Sequence, residues 1–147
     1  MNRFAVLALT ALIGTASLSC QTYTTGLKQS LAHADETAAT SALRTIAVAQ
    51  KTYAISNGGY GTFQQLCDGG YLDARFNSDK PALKDYVLSM NVAQKSAGQA
   101  EGFYSCNADP TGTGAQAGRH FYIDSTASEL HVNPSESATA KDPVAQP

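Results

Sequence analysis

The sequence contains no tryptophan, only three cysteines and few charged residues, and the shortage of charge excludes a class of partner. Charged residues make up 15% of the 147 residues and the net charge is −2. Such a chain has no basic stripe to neutralise a run of phosphates, so we expect no nucleic-acid partner. The aromatic residues, seven Tyr and five Phe, and the twelve glycines favour one small exported domain of the α+β or β-rich class.

The sequence also lacks the residue constellations that catalysis requires. Residues 111–118 are rich in glycine but have neither the lysine nor the following helix of a phosphate-binding loop. The serines do not lie in the strand-to-helix elbow of a hydrolase. Asp124 and Glu129 form a carboxylate pair at a predicted exposed turn, where nothing would raise the pKa of one of them as acid catalysis requires. We therefore expect no enzyme, no catalytic residue and no cofactor.

The histidines are the natural candidates for metal ligands. His120 and His131 would be diagonal neighbours on the polar side of a predicted hairpin, but neither a cysteine pair nor a fixed ligand spacing accompanies them. We expect both histidines to be solvated surface residues, and we expect no metal site. The alternative is a small exported enzyme or ligand- or metal-binding protein that uses this polar side of the hairpin.

The N-terminus has the pattern of an export signal. Arg3 precedes an apolar run at residues 4–13, and small residues follow as far as Ser19. Because this run is about half of the ~20 residues that cross a bilayer, we expect cleavage and not a permanent membrane helix. We predict a signal peptide at 1–19, a tether at 20–27, one domain at 28–133, and an irregular or disordered tail at 134–147 with almost no apolar area to bury.

Cys20 directly follows Ser17, Leu18 and Ser19, which together resemble the lipobox of bacterial lipoproteins. In such proteins a signal peptidase cuts before a cysteine that carries the lipid, although the leucine usually lies three residues before that cysteine and here lies two before it. Ordinary cleavage at a small-x-small site and a cysteine without a role are the alternatives. We predict lipidation of Cys20, which with two or more acyl chains would attach the protein stably to a membrane.

Export also places the other two cysteines in an oxidising compartment, where Cys67 and Cys106 can pair. Their bond would close a loop of about forty residues. In the chain-entropy model, this closure would stabilise the folded protein by up to about 4 kcal/mol. We predict a Cys67–Cys106 disulfide because the expected core is small.

The spacing of apolar residues predicts a long amphipathic helix over residues 28–57. On its buried side we place Leu31, Ala34, Ala38, Ala42, Ile46, Ala49 and Tyr53. On its opposite side we place Glu36, Thr40, Arg44 and Lys51. The pair Asn57-Gly58 ends the helix, because glycine tolerates the left-handed conformation found there.

A short helix and a small antiparallel sheet follow. Thr62 and Gln65 form a capping box for one or two helical turns. Residues 86–93 alternate in the manner of a half-buried strand, and residues 103–108 form a second strand. Residues 120–133 form a hairpin that turns at 125–128, in which Phe121 faces Val132.

These elements predict an α+β fold in which a long N-terminal amphipathic helix packs across a small antiparallel sheet. The expected core consists of Ile46, Ala49, Tyr53, Phe63, Leu66, Leu88, Met90, Tyr104, Phe121, Ile123, Leu130 and Val132.

The order of export signal, long helix, Gly-Tyr junction and sheet resembles the type IV pilin family, and most closely the major pseudopilins of type II secretion. The residues that carry the resemblance are AATSALRTIAVAQKTYAISNGGYGTFQQL at 38–66, GYLD at 70–73 and GRHFYIDSTASELHVNPSESATAKDP at 118–143. They are similar to the helix end and Gly-Tyr segment of that family and to the closing hairpin and tail of a pseudopilin subgroup. The resemblance implies a pilin-like fold and a structural role.

The chain differs from that family at its head. Pilins begin with a short basic leader, a glycine cleavage site and an apolar half-helix of about twenty residues that anchors the subunit and forms the filament core. Here a cleavable signal and Cys20 take that place. The resemblance then implies an exported accessory protein, tethered to a membrane, that contacts pilus or secretion components in the periplasm or at the outer membrane or cell surface of a Gram-negative bacterium.

A filament subunit that assembles by a non-standard route is the alternative. It predicts an exposed apolar stripe along residues 31–42 that the domain cannot cover alone.

Overall fold

A long helix lies across one face of a five-stranded antiparallel sheet in the computed structural model, which describes residues 18–95, 102–112, 118–127 and 129–146. The predicted α+β fold is confirmed. In chain order the helices are α1 (Leu18–Asn57), α2 (Phe63–Asp68) and a 3₁₀ turn at Ala74–Phe76. The strands are β1 (Ala82–Leu83), β2 (Tyr86–Ala93), β3 (Phe103–Pro110), β4 (His120–Asp124) and β5 (His131–Asn133).

The sheet is a meander in which each strand pairs with the next one along the chain. Successive strands are antiparallel, and Cys106 of β3 pairs with Met90 of β2 on one side and with Ile123 of β4 on the other. The predicted hairpin register is confirmed, since Phe121 pairs with Val132. This register places the apolar residues of β4 and β5 on the side of the sheet that faces α1.

The helix ends follow the predicted local chemistry. Gly58 has a φ of +74°, and its N–H donates to the Ala54 carbonyl at 2.9 Å, which terminates α1 in the left-handed conformation. At the start of α2, the Thr62 N–H donates to Oε1 of Gln65 at 2.9 Å and the Gln65 N–H donates to Oγ1 of Thr62 at 3.3 Å. The predicted capping box is therefore present.

The buried side of α1 is rotated from the predicted one. The buried residues are Glu36, Ala39, Ala42, Leu43, Ile46, Ala49 and Gln50, whereas Leu31 and Ala34 are exposed. The prediction placed Glu36 on the outer side because it treated every polar residue as solvated. Both Glu36 and Gln50 have hydrogen-bond partners inside the fold, which is the condition for burying a polar group.

The helix also begins earlier than predicted. It runs from Leu18, so residues 20–27, where the sequence predicts a tether, are helical. This segment contains no proline, and its single internal glycine, Gly26, costs only about 1 kcal/mol relative to alanine. The rest of the predicted signal peptide, residues 1–17, lies outside the described residues.

The core lies between α1 and the sheet. Ile46, Leu66, Leu88, Phe121 and Ile123 are at most 1% exposed, as expected of central core residues. Three of the predicted core residues lie at its margin, partly buried: Tyr53, Met90 and Val132. The core also holds residues that the sequence did not identify: Ala39, Leu43, Leu72, Phe76, Tyr86, Cys106 and Ala108.

The C-terminal segment after β5 is packed against the domain. The Val132 N–H donates to the Pro143 carbonyl at 2.9 Å, and the Ala145 N–H donates to the Leu130 carbonyl at 2.7 Å. Ala138 is 2% exposed. The segment has only the single bridge of Val144 with His131, so it is irregular, but its contacts do not fit the disordered alternative. The low apolar content of the segment did not indicate this packing, because backbone hydrogen bonds make the contacts.

Cys67 and Cys106 are free cysteines in the structure, and the Cys67–Cys106 disulfide stays a prediction. The Sγ atom of Cys67 lies 3.3 Å from the Asp73 carbonyl, in the turn that follows α2. Cys106 is fully buried in the central strand β3. The two thiols are thus engaged separately, one with the turn and one with the core.

Candidate functional site

The side of α1 that faces away from the sheet carries an uncharged stripe. Its positions are separated alternately by four and three residues and fall on one side of the helix. We call this set the outer stripe: Leu27, Leu31, Ala34, Ala38, Ser41, Thr45, Val48, Thr52 and Ile55. All are exposed except Ala38, which is partly buried.

The outer stripe holds most of the large apolar residues that the described part of the chain exposes. Leu27 is 49% exposed, Leu31 63%, Val48 67% and Ile55 84%, and the fifth such residue is Val144 in the C-terminal segment. The outer side of a surface helix is usually charged or strongly polar. An uncharged stripe that exposes four large apolar residues is therefore a candidate contact surface.

Two threonines of the outer stripe contribute methyl groups more than hydroxyls. The Thr45 hydroxyl donates to the Ser41 carbonyl at 2.9 Å, and the Thr52 hydroxyl donates to the Val48 carbonyl at 3.0 Å. A hydroxyl that bonds back to its own helix has its donor satisfied, so it needs no partner from outside. The stripe is consequently less polar than its composition indicates.

A shallow groove of about 390 Å³ adjoins the C-terminal half of the outer stripe. Its walls are Arg44, Thr45, Val48, Ala49, Thr52 and Tyr71. The Tyr71 ring is held edge-on against Tyr53, with ring centroids 5.4 Å apart. The outer stripe thus forms one wall of a concave surface at this point.

An ion pair fixes the rotation of α1 on the sheet. Nη2 of Arg119 lies 2.8 Å from Oε2 of Glu36, and the Arg119 N–H donates to Oε1 of Glu36 at 2.9 Å. Burial raises the pKa of Glu36, but the hydrogen bonds and charge of Arg119 outweigh it, so the pKa lies below its ordinary value. Lys84 and Asp35 add a second pair at 3.3 Å. These contacts keep the outer stripe turned away from the core.

Gln50 joins α1 to the turn before α2. Its Nε2 donates to the Gly61 carbonyl at 2.6 Å, and its Oε1 accepts from the Gly61 N–H at 2.9 Å. Gln50 is fully buried, so both backbone groups are satisfied in the absence of water. A β-carbon at Gly61 would lie 3.0–3.2 Å from the Tyr53 ring, which makes this a close approach.

The polar side of the hairpin holds the histidines considered as metal ligands. Nδ1 of His120 lies 2.7 Å from Oδ1 of Asp109, and the Ser137 hydroxyl donates to the same carboxylate at 2.7 Å. The serine thus donates to the aspartate and not to the histidine, which is not the arrangement that activates a serine nucleophile. Nδ1 of His131 instead lies 2.7 Å from the Asp142 carbonyl oxygen.

The predicted diagonal relation of the two histidines follows from the register, but they are held by different partners. His120 is opposite Asn133, and Tyr122 is opposite His131. Within the described residues, no group of three or more His, Cys, Asp or Glu side chains is placed to hold a metal ion.

The structure does not bring Asp124 and Glu129 together as an acid and base pair. Oδ1 of Asp124 accepts from the Thr126 N–H at 2.7 Å and its Oδ2 accepts from the Tyr122 hydroxyl at 2.9 Å, while Glu129 is exposed. Burial raises the pKa of Asp124, but these hydrogen bonds hold it below the ordinary value. Burial and Asp124 raise the pKa of Tyr122 to about 12. Asp124 is thus an ionised residue that stabilises the turn.

The sequence did not identify the C-terminal half of the outer stripe. The prediction assigns Val48 and Ile55 to neither side of the helix. The signal that could have found them is the repeat of 3.5 residues, which differs from the 3.6-residue period of a core-facing stripe.

Cys20, the predicted lipid attachment site, lies in the first turn of α1. No helix among the described residues is long and apolar enough to span a membrane. No protein-family model, no curated protein and no solved structure matches this chain.

Proposed function

We propose that this protein is an exported, pilin-like structural or accessory protein that is tethered to a membrane through a lipid on Cys20. It acts by contact with pilus or secretion components in the periplasm or at the outer membrane or cell surface of a Gram-negative bacterium. The resemblance of the sequence to pseudopilins motivates the identity of these partners.

The observation that carries the proposal is the uncovered outer side of α1. On the same helix, ahead of the buried Glu36, Leu27 and Leu31 are exposed. A long helix that leaves leucines in water is suited to contact with another protein. Cys20 is part of the same helix, so a lipid there would hold this helix next to the membrane.

A lipid attachment site is tested by the intact mass of the mature protein from its native host. We expect a chain that begins at Cys20 and carries acyl chains. Replacement of the thiol in Cys20→Ser should release the protein from the membrane fraction. A mature protein that keeps residues 1–19 would contradict the localisation.

The partners are tested by a photo-crosslinking amino acid placed at Val48, on the outer stripe. In the native host we expect products with pilus or secretion components, identified by mass spectrometry. The matched control carries the same group at Ala74, which is exposed but far from the stripe in sequence. Equal products from both positions, or no component of either system among them, would contradict the accessory role.

The filament alternative is favoured by one observation and opposed by another. Leu31 and Ala34 are exposed, as that alternative predicted, whereas Ala42 is only 6% exposed because the domain covers it. Self-association therefore remains a second candidate, and the outer stripe is the surface that it would use.

A further inference from the structure

We propose that the outer stripe is the interface of a parallel, two-fold symmetric dimer in which α1 of one copy packs along α1 of a second copy. This inference rests on the proposed function and deepens its second candidate, self-association, because it gives the arrangement in which the outer stripe would pair.

The spacing of the outer stripe points to a helix as its occupant. Its positions alternate by four and three residues from Leu27 to Ile55, which is the spacing of a heptad repeat over four heptads, and six of the nine positions are apolar. A repeat of 3.5 residues keeps a stripe facing a neighbouring helix of the same period, whereas packing on a sheet needs no such repeat. The chain itself supplies a helix with this period.

The distribution of side-chain sizes along the outer stripe fits a second copy whose α1 runs in the same direction. In a parallel pair in register, equal positions meet, so Leu31 meets Leu31 of the second copy and Val48 meets Val48. Between them lie Ala34, Ala38 and Ser41, whose small side chains allow the two helix backbones to approach closely. Large side chains thus meet at both ends, and small ones meet in the middle.

The charges beside the stripe also permit this pairing. Arg44 and Lys51 flank the stripe on one side and are exposed. In a parallel pair, each flanking residue faces the position five residues further along the other helix. Arg44 would then face Ala49 of the second copy, and Lys51 would face Ser56, so no like charges meet.

The domains do not obstruct the contact. The large buried residues Leu43 and Ile46 lie away from the outer stripe, whereas the small buried residues Ala42 and Ala49 adjoin it, so the two sheets would lie on the outer sides of the helix pair. Beside Val48, the groove of about 390 Å³ gives the second helix a concave surface to occupy.

The size of the stripe predicts a weak dimer. From Leu27 to Ile55 the helix rises about 42 Å, and with a helix width of about 10 Å the contact covers roughly 400 Å² per copy. A stable interface buries about 800 Å² per partner. We therefore expect a dissociation constant of about 10 µM to 1 mM. Tethering of both copies to one membrane through Cys20 would raise their local concentration.

Sedimentation equilibrium of the purified mature protein tests the association. We expect a reversible monomer–dimer equilibrium in that concentration range, weakened about tenfold or more by Val48→Lys, because the variant places a charge between the two helices. The matched control Val144→Lys changes the same residue type at an exposed position outside the stripe and should leave the equilibrium unchanged. Circular dichroism checks that both variants are folded. A protein that stays monomeric, or an equal effect of both variants, overturns the proposal.

Cysteine cross-linking tests the direction of the helices. In a Cys20→Ser, Cys67→Ser background, Ala34→Cys should form a disulfide-linked dimer on mild oxidation, because equal positions meet, whereas the exposed control Ala74→Cys should not. An antiparallel pair would place Ala34 opposite the C-terminal half of the second helix, so a dimer without this cross-link overturns the parallel arrangement. A purified protein that is monomeric but still contacts secretion components in the host would overturn only the dimer and leave the proposed function intact.

Discussion

At the level of single residues, the most informative side chains are polar ones in buried places. Glu36 is 8% exposed, yet it is ionised and bound to Arg119 through both its carboxylate oxygens. Such a residue is tolerated because its partners replace water. It also specifies which side of α1 faces the sheet, since rotating the helix would leave the carboxylate or the guanidinium without its partner.

We expect Glu36→Gln to lower the free energy of unfolding at neutral pH by about 1–2 kcal/mol, since a charge-assisted pair with a half-exposed arginine is lost. The folded protein holds the pKa of Glu36 below its ordinary value of 4.5, so the contribution is present above pH 4.5 and is lost as the pH falls through the folded pKa. The difference between the two proteins in urea unfolding should therefore shrink in acid. The exposed Glu129→Gln is the control, and an equal loss there would contradict this explanation.

The two thiols should differ in reactivity in the reduced protein. Cys106 is fully buried, and burial together with Asp109 raises its pKa, so it should react with a maleimide only after unfolding. Cys67 is partly exposed and should react in the folded protein, though slowly, because burial, Asp68 and Asp73 raise its pKa.

Mass spectrometry after labelling reads out both thiols. The same experiment without reductant tests the disulfide that the sequence predicted. If the exported protein contains that bond, neither thiol will be labelled even in denaturant.

At the level of elements, the joint between α1 and α2 depends on one side chain. Gln50 satisfies both backbone groups of Gly61 in a buried place. We expect Gln50→Leu, which keeps the volume but removes the amide, to lower the free energy of unfolding by about 2–4 kcal/mol, because two buried backbone groups lose their partners. The exposed Gln64→Leu in α2 should change it by less than about 0.5 kcal/mol. Similar losses for both variants would contradict the role assigned to Gln50.

Most of the elements could be predicted because their signals are local. The Asn57-Gly58 stop, the Thr62 and Gln65 capping box and the alternation of residues 86–93 each depend on neighbours within a few residues. The rotation of α1 could not be predicted, because it depends on Arg119, which is distant in sequence from Glu36. Strand β1 has only two residues and too short a pattern to recognise.

The candidate surface was only partly predicted, because its position also depends on long-range contacts. The exposed Leu31 and Ala34 belong to the stripe that the filament alternative required, but the sequence placed them on the buried side. The long-range partners of Glu36 and Gln50 decide which side of α1 is buried. The outer stripe becomes evident only when those partners are known.

At the level of the whole molecule, the C-terminal segment makes the domain larger than the sequence indicated. It crosses from the edge at β5 to the polar side of the sheet, where Nδ2 of Asn107 donates to the Ala138 carbonyl at 2.7 Å. Together with the Ser137 contact to Asp109, this bond covers residues of β3 that would otherwise face solvent.

We expect Ala138→Asp to lower the free energy of unfolding by about 2 kcal/mol or more, because a carboxylate would be buried in the part of the sheet that already holds Asp109. The matched control is Ala140→Asp, two residues further along at an exposed position, and should be nearly neutral. Urea unfolding of both variants gives the comparison. Two neutral substitutions would mean that the segment is not part of the stable domain.

The position of this C-terminal segment has a consequence for aggregation. The Val132 N–H donates to the Pro143 carbonyl and the Ala145 N–H donates to the Leu130 carbonyl, so the segment covers the edge of the sheet beside β5. An uncovered sheet edge is a template for pairing with a strand of another molecule. The segment withholds these backbone groups from such a strand.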